Sequence, residues 1–376
     1  LLAALRESRD VRREVNWCWG PITPHRLLRN LYADPAERSA ASGGVLSAGE
    51  QAALIRERTA GWTLEDVPLL DEAAELLGDE PAASPEAERA RLERGEQLDQ
   101  ARRALDASGA AGLVTASELV ERYRGEAELD ALADRAASER GWAYGHVVVD
   151  EAQELSPMMW RLLMRRCPTR SMTVVGDIAQ TGSPSGVSDW AAALAPHVGD
   201  RWRLARLDIN YRTPGQIMAL AADVLPATGA GERPPISARE GRWAPTAQRI
   251  ERADELAEAV IGAIEADRAA VGGGAVAVLC PAPLAGSLRQ AVERALPPAE
   301  ASPEPPIMVA AVADAKGLEF DCVVLVEPAA ILAGSPRGAN DLYVALTRAT
   351  ARLHVVHTGP LPDCLGRLSV TAGRPR

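Results

Sequence analysis

The sequence has 376 residues and a formal net charge of −11. This length predicts two or three domains of the usual ~100–200 residues. No apolar run reaches the ~18–20 residues that a membrane span needs, and no signal peptide is recognisable, so we expect a cytoplasmic protein without a membrane partner. The acidic charge argues against an extended surface that coats DNA, since nonspecific affinity for DNA comes largely from Lys and Arg. It is compatible with a local basic groove.

The cysteine and lysine positions restrict the kinds of site that the chain can carry. The five cysteines are far apart and lie in no Cys-x-x-Cys or Cys/His cluster, so we predict reduced, mostly buried thiols without zinc or disulfides. Lys316 is the only lysine of the chain, and every other Lys/Arg position is an arginine.

Residues 1–140 are rich in Ala, Glu, Arg and Leu at helical spacing, which predicts a mainly helical region. Within it, the aromatic and proline-rich residues 17–24 predict a turn packed under a helix that begins near His25. Structural packing is the favoured interpretation of this turn. Residues 81–109 are typical of a linker that runs into a solvated helix, and we assign no chemistry to them.

From residue 145 onward, short Val/Ile/Leu runs alternate with helical segments, the pattern of parallel strands joined by helices. The predicted strands are 146–150, 172–176, 275–280, 307–312, 322–327 and 353–357. Ser156-Pro157 and Thr213-Pro214 each predict a helix start with proline at the first helical position, and residues 272–274 predict a helix end. We therefore expect an α/β fold with two blocks, the first ending near residue 208.

The first chemical signal is an apolar strand that ends in two acids, Asp150 and Glu151. The carboxyl ends of strands form the ligand-binding edge of open α/β sheets, so we expect both acids at that edge. Asp150 could hold Mg²⁺ through water, and Glu151 could orient and deprotonate an attacking water. The alternative is a solvated acidic pair at a strand end without a chemical role. This strand by itself does not distinguish the two interpretations.

Two further segments favour the chemical interpretation. Gly176 follows the next strand and allows a sharp turn, after which Gln180 offers an amide that could sense a terminal phosphate. Tyr211 and Arg212 precede a predicted helix. The Tyr211 ring could stack on a nucleotide base, and the Arg212 guanidinium could bind phosphate oxygens with two N–H groups. A surface arginine beside a half-buried tyrosine is the alternative for this pair.

The last two segments flank the final strands. Lys316 and Gly317 lie between two predicted strands, and the single retained lysine indicates that a compact ammonium matters there. Residues 340–349 predict a helix leading into the last strand. Arg348 on it is a candidate for stabilising charge during phosphoryl transfer.

These five segments, in this order, resemble the second to sixth motifs of UvrD/Rep-type superfamily 1 helicases. The strings Asp-Glu-Ala-Gln, Gly-Asp-x-x-Gln, Asn-Tyr-Arg, Ala-Lys-Gly-Leu-Glu-Phe and Tyr-Val-Ala-Leu-Thr-Arg-Ala lie within residues 142–360. The resemblance implies RecA-like parallel-sheet domains of P-loop NTPases, the first incomplete, preceded by a helical insertion. The implied domains are the helical insertion or arm (1–140), the end of the first RecA-like domain (141–208) and the second (209–376).

The resemblance also implies that ATP and Mg²⁺ bind between the RecA-like domains. Asp150 would be the metal ligand, Glu151 the catalytic base and Arg348 the arginine finger. Gln180 and Arg212 would contact the γ-phosphate, Tyr211 would pack on the base and Glu319 would face the ribose. The remaining residues assigned to the nucleotide site are Gln153, Lys316 and Gly317.

Three departures from the UvrD-type pattern matter. The only lysine precedes Gly317 without a following Ser or Thr, so the phosphate-binding Gly-Lys-Ser/Thr loop is missing, and we expect a fragment that binds ATP poorly by itself. About a hundred residues separate Arg212 from Lys316, too few for the accessory domain of the unwinding enzymes. Residues 181–188 and 311–313 replace positions that couple ATP to single-stranded DNA, which argues against unwinding.

A second resemblance accounts for these departures. The HelD/HelR-type RNA polymerase recycling ATPases of actinobacteria lack the accessory domain, and they share a Trp-x-Pro-x-Thr-Pro-like turn and a Leu-Leu-Asp-Glu-Ala segment, here at residues 19–24 and 69–73. This resemblance implies an ATPase motor that binds RNA polymerase core, contacts DNA weakly and acts as a monomer. A DNA-repair helicase or translocase and a non-catalytic binding module remain the alternatives.

Overall fold

The computed structural model describes residues 8–18, 20, 22–78, 103, 142–231, 233–297 and 307–372. The chain divides into two compact units, one of Leu1–Gly145 with Arg161–Pro168 and the other of His146–Trp160 with Thr169–Arg376. The predicted domain boundaries at residues 140 and 208 stay predictions.

The described elements of the first unit between residues 8 and 78 are helical. They are α1 (Arg9–Cys18), α2 (Pro24–Ala33), α3 (Pro35–Ser42), α4 (Ala48–Ala53) and α5 (Val67–Leu77). Helix α2 starts one residue before the predicted His25, because the Thr23 side chain accepts the Arg26 N–H at 3.2 Å and Pro24 fits the first turn. Trp19 and Pro21 of the predicted turn, and residues 81–102 and 104–109 of the predicted linker, lie outside the described residues.

A buried carboxylate joins the helices of the first unit. Asp66 is fully buried and accepts hydrogen bonds from the Tyr32 hydroxyl at 3.0 Å, Arg56 Nη1 at 2.7 Å and the Thr63 N–H at 2.9 Å. Burial, aided by the hydrogen bond to Asp66, raises the pKa of Tyr32 to about 12. Because each Asp66 oxygen has a donor, this carboxylate is compatible with its dry site.

The second unit begins with a small parallel sheet. Its strands, β1 (Val147–Val149) and β2 (Met172–Val174), agree with two predicted strands. Between them in the sequence lies α6 (Pro157–Arg166), which starts at the predicted Pro157 and belongs to the first unit from Arg161 onward. Helix α7 (Trp190–Val198) follows β2. Val148 is 68% exposed, although parallel strands usually bury both faces.

A six-stranded parallel sheet forms the core of the second unit, in the order β10-β5-β9-β8-β6-β7. Its strands are β5 (Thr246–Arg249), β6 (Val276–Cys280), β7 (Met308–Ala311), β8 (Phe320–Val326), β9 (Ala349–His357) and β10 (Ser369–Ala372), and a separate pair joins β3 (Ile209–Asn210) to β4 (Ile236–Ser237). The predicted α/β fold with parallel sheets is confirmed.

Helices cover both faces of the larger sheet. They are α8 (Gly215–Val224), α9 (Leu256–Val271), α10 (Ala282–Ala295), α11 (Pro328–Ala333) and α12 (Gly338–Thr347). Apolar residues of α8 and α12 pack on one face, and those of α9 and α10 pack on the other. All five residues of β6 are buried, as expected for a central parallel strand.

Two predicted helix ends can be compared with the structure. Gly272 ends α9 in a left-handed conformation, as predicted. The prediction for Thr213-Pro214 was wrong by one residue, because Pro214 is the extended cap residue and α8 begins at Gly215. The Asn210 side chain accepts the N–H groups of Arg212 at 2.8 Å and Thr213 at 3.0 Å, so this turn continues to Pro214.

Burial also determines the reactivity of the cysteine thiols. Cys167, Cys280 and Cys322 are buried, and the loss of solvent raises the pKa of Cys280 to about 11 and that of Cys322 to about 12. Both are therefore unreactive thiols at neutral pH. No helix in the described part of the chain combines the length and apolarity that a bilayer crossing requires.

Candidate functional site

The two predicted acids lie just after β1. Glu151 has a left-handed backbone with φ 49°, unusual for a side chain other than glycine, and its N–H donates to Asp150 Oδ1 at 2.9 Å. Both residues are exposed, so either carboxylate can reach a ligand. A strained turn that presents two acids at a strand end is typical of a functional position.

Gln153 holds the Glu151 side chain in place. Its Nε2 donates to Glu151 Oε2 at 2.7 Å, and its Oε1 accepts the Asp177 N–H at 3.0 Å. Gln153 is only 1% exposed, so it has no surface to offer a nucleotide. In this structure it positions Glu151 and joins the turns after β1 and β2.

The turn after β2 contains a second polar pair. The Gln180 side chain donates to Asp177 Oδ2 at 2.8 Å, and the Ala179 N–H donates to Asp177 Oδ1 at 2.9 Å. Burial raises the pKa of Asp177, and these hydrogen bonds oppose the rise. Gly176 permits this turn, since a Cβ there would lie 2.6 Å from Gln153 Oε1.

Arg348 connects the motif segments at the centre of the site. It is 3% exposed and donates to Gln180 Oε1 at 2.7 Å, to the Leu318 carbonyl at 3.0 Å and to the Val344 carbonyl at 3.3 Å. Burial lowers its pKa, while the negative charge of Glu151 raises it. Arg348 is thus within electrostatic reach of Glu151 and in direct contact with Gln180.

The single lysine forms a second link. Lys316 Nζ lies 3.0 Å from Glu154 Oε1, and Glu154 also accepts the N–H groups of Gly182 at 2.8 Å and Ser183 at 3.0 Å. A Cβ at Gly182 would collide with the lysine ammonium. The ion pair therefore holds the segment before β8 against the turn after β2.

Gly317 brings the same segment close to Glu151. Its φ of +70° favours glycine, and a Cβ built on it would lie 3.8 Å from Glu151 Oε1. The backbone beside Lys316 therefore approaches the Glu151 carboxylate closely.

The third pair lies on the more exposed side of the site. Arg212 Nη2 and Glu319 Oε1 are 2.6 Å apart, and their side chains are 51% and 43% exposed. Tyr211 is 73% exposed, so its ring is available for stacking. To contact a phosphate, Arg212 must break its ion pair with Glu319 or bind both groups at once.

Replacing Lys316 with methionine is expected to lower the free energy of unfolding by about 1 kcal/mol, with less loss at high salt. The pair is only about a quarter exposed, so screening is incomplete. Urea denaturation of the chain measures the change. Arg252→Met removes the exposed pair with Asp254 and should leave the midpoint unchanged. Equal midpoints for both variants would show that the Lys316 pair contributes nothing.

The structure therefore brings together most of the predicted site residues. Glu151, Gln180, Arg348 and Gly317 lie around one centre, and Arg212 with Glu319 forms a separate pair. Among the described residues, no cluster of three or more His, Cys, Asp or Glu side chains could hold a metal ion. Asp150 would thus need ligands from a bound phosphate and water, as Mg²⁺ commonly does.

Sequence reasoning missed three residues of this network. They are Glu154, the partner of Lys316; Asp177, the acceptor for Gln180; and Asn340, which donates to the Ala179 carbonyl at 2.9 Å. The single lysine was the one available signal, because a half-buried ammonium requires a carboxylate.

The segment from β7 to β9 carries the central arginine and the lysine. Residues 307–356 match the UvrD-like helicase C-terminal domain. The matched range contains Lys316, Gly317, Glu319 and Arg348 of the candidate site. Asp150, Glu151, Gln180 and Arg212 lie before it, so their assignment depends on the motif resemblance and the contacts above.

Comparison with solved structures finds helicase domains at low identity. The C-terminal domain of a possible DNA helicase from Lactobacillus plantarum WCFS1 is 21% identical, covers 43% of this chain and 98% of that one, and has a TM-score of 0.33. Arterivirus nonstructural protein 10, a helicase solved with DNA, is 16% identical over 60% of this chain and 42% of its own, with a TM-score of 0.32. This chain thus spans less than half of the viral helicase. No curated protein matches the sequence.

Proposed function

We propose that this chain is the C-terminal catalytic part of an ATP-hydrolysing superfamily 1 motor of the HelD/HelR type, which binds RNA polymerase and removes it from nucleic acid. The observation that carries the ATPase part is the hydrogen bond between Arg348 and Gln180, beside Glu151. It joins a buried cation to the amide that we assign to phosphate sensing, and the cation is within electrostatic reach of the carboxylate that we assign as the base.

The chemistry of these donors fits a magnesium triphosphate. Asp150 supplies the hard oxygen that Mg²⁺ prefers, and the ion, when bound, would neutralise phosphate charge. Glu151 would accept the proton of the attacking water, with its orientation held by Gln153. Arg212 would meet the terminal phosphate with its guanidinium fork.

The proposed motor also needs a phosphate-cradling loop. The sequence contains no Gly-Lys-Ser/Thr string, and Lys316 is committed to Glu154. The described residues give this sheet two strands with Val148 exposed on one face, which is consistent with further strands at its edges and a segment that covers the face. We therefore expect weak ATP binding by this chain in isolation.

Two features favour a polymerase-recycling motor over an unwinding enzyme. The residues between Arg212 and Lys316 include β4 to β7 and helices α8 to α10, so the described part of this stretch belongs to the core of the second unit. The loop after Gln180 folds onto its own unit, with the Val187 N–H donating to the Gln153 carbonyl at 2.7 Å. This loop has no aromatic side chain on which a DNA base could stack.

A DNA helicase or translocase is the second candidate. The match of residues 307–356 to the UvrD-like C-terminal domain favours it directly, because that domain is named for helicases. A non-catalytic binding module is the third candidate, favoured by the missing Gly-Lys-Ser/Thr string. The weak response to DNA that we expect separates the recycling motor from the helicase.

The test is steady-state ATP hydrolysis by the full-length gene product, with single-stranded DNA and RNA polymerase core titrated separately. Glu151→Gln is expected to lower kcat by about 10²–10⁴-fold, because it removes the base without changing the shape of the side chain. Glu265→Gln, on the exposed side of α9, is the matched control and should retain the rate.

Each outcome separates the candidates. Little response to DNA, together with polymerase binding that ATP weakens, supports the recycling motor. Strong stimulation by DNA and none by polymerase would establish the helicase instead. Equal rates for Glu151→Gln and Glu265→Gln would remove the catalytic assignment of Glu151, and no hydrolysis in any protein would favour the binding module.

A further inference from the structure

The first unit contains a cavity of ≈ 550 Å³ that the proposed motor chemistry does not use. It is lined by Thr23, His25, Arg26, Arg29, Asn30 and Arg58. Three of the six side chains are arginines, and they come from α2 and from the segment after α4. Arg26, Arg29 and Arg58 are all exposed, so a ligand in solvent can reach each guanidinium.

Within the described part of the chain, these arginines have no carboxylate partner, although the protein is acidic. Among the described residues, no carboxylate forms an ion pair with Arg26, Arg29 or Arg58, whereas Arg13, Arg252 and Arg367 on other surfaces each have one. The chain has a net charge of −11, so three neighbouring arginines without a described ion pair are unusual here. One carboxylate, Glu37, lies beside the lining, but it accepts from the Asn30 amide at 3.3 Å. A cluster of like charges is destabilising unless an anion binds to it.

Local contacts hold two of the arginines toward the cavity. Arg58 Nη1 donates to Asn30 Oδ1 at 3.0 Å, and the Arg29 guanidinium lies 5.3 Å from the ring centroid of Trp62. His25 packs edge-on against the same indole at 5.3 Å. Such contacts reduce the conformational entropy that the arginines lose when they bind a ligand.

We propose that this cavity binds the phosphate backbone of a nucleic-acid strand. Three guanidinium forks match phosphate oxygens, and successive phosphates of one strand can occupy separate arginines. The first turn of α2 forms one wall, and its N-terminal end adds a favourable potential for anions. Phosphate contacts and stacking on a ring do not distinguish one base from another, so we expect little dependence on base sequence.

Nucleic acid fits this cavity better than an acidic protein segment does. The exposed His25 ring lines the cavity together with the arginines and packs edge-on against Trp62, and bases can stack on aromatic rings. Carboxylates of an acidic peptide would use the arginines but not the rings. The site is independent of the ATPase proposal, because none of its residues belongs to the second unit.

The test is fluorescence-anisotropy titration of the full chain with a labelled single-stranded oligonucleotide at several salt concentrations. The variant Arg26→Gln/Arg29→Gln/Arg58→Gln is expected to bind about tenfold or more weakly at low salt. The slope of log affinity against log salt should fall by about 2, since each phosphate contact with a single strand contributes ~0.7. The charge-matched control is Arg13→Gln/Arg252→Gln/Arg367→Gln, which removes three ion-paired arginines from other surfaces.

The outcomes are distinct. Weaker binding and a smaller slope for the cavity variant, with the control like wild type, support the proposal. Equal affinities for both variants would overturn it, because overall charge would then explain the binding. A poly-glutamate peptide of equal charge is the competitor. If it displaces the oligonucleotide and also binds the cavity variant more weakly, the cavity would be assigned to an acidic protein segment instead. Circular dichroism of each variant shows that it is folded.

Discussion

Replacing Arg348 with alanine is expected to lower the free energy of unfolding of this chain by about 3–5 kcal/mol. The guanidinium is 3% exposed and serves three acceptors on Gln180, Leu318 and Val344. Its loss removes one donor from each of these acceptors, of which Val344 keeps the Thr347 hydroxyl, and opens a cavity at the centre of the site. Urea denaturation followed by circular dichroism measures the change.

Two further variants separate the charge of Arg348 from its geometry. Arg348→Lys keeps the charge but cannot reach all three acceptors, so we expect an intermediate loss of stability. Arg294→Ala, on the exposed surface of α10, should leave the midpoint unchanged. If Arg348→Ala and Arg294→Ala unfold at the same urea concentration, the proposed network does not stabilise the unit.

The network also bears on the proposal that Arg348 acts as an arginine finger. Its guanidinium already donates to protein acceptors, so a bound phosphate must compete for at least one of them. The contact with Gln180 is the candidate for exchange, because that amide is itself expected near the phosphate. Exchange of this contact on nucleotide binding would then couple Arg348, beside β9 of the six-stranded sheet, to the turn after β2.

Replacing Arg352 with methionine is expected to lower the free energy of unfolding by about 3–5 kcal/mol at neutral pH. Arg352 Nε donates to Asp267 Oδ1 at 2.8 Å, and the Asp267 side chain has no exposed surface. Asp267 Oδ2 has no hydrogen-bond partner among the described residues, so the arginine is the main compensation for a buried charge. Removing it leaves that charge unpaired.

The loss of unfolding free energy in Arg352→Met should become smaller as the pH falls. Burial raises the pKa of Asp267 above its usual range, and the charge of Arg352 opposes the rise. A carboxyl with a raised pKa in the folded state costs stability above that pKa, and the cost disappears as it becomes protonated. The difference between Arg352→Met and wild type should therefore shrink as the pH falls toward 4.

A close control isolates the ion pair from the aromatic contact. Arg242 and Arg352 both lie 5.3 Å from the centroid of the Trp243 ring, but Arg242 is exposed and has no described carboxylate partner. Arg242→Met should change the stability little and without a pH trend. Burial lowers the pKa of the neighbouring His354, which opposes the formation of a replacement cation there. An equal effect of both variants would refute the buried-pair interpretation.

Several strands and turns were predictable because their causes are local. Six predicted strands are present, since runs such as residues 275–280 combine β-branched and apolar side chains between breakers. Strands β5 and β10 escaped prediction, because Thr246–Arg249 and Ser369–Ala372 have no apolar run to mark them. Their places in the sheet depend on pairing with β9 and with each other.

The amino-acid sequence by itself determined the α/β class, the order of the motif segments and the candidate residues, because periodicity, turn chemistry and motif spacing are local properties. Only the tertiary structure decided which of those residues meet. Arg348 and Gln180 are 168 positions apart, and Lys316 and Glu154 are 162 apart. Such contacts follow from strand order and register in the two sheets, and neither can be read from the separate segments.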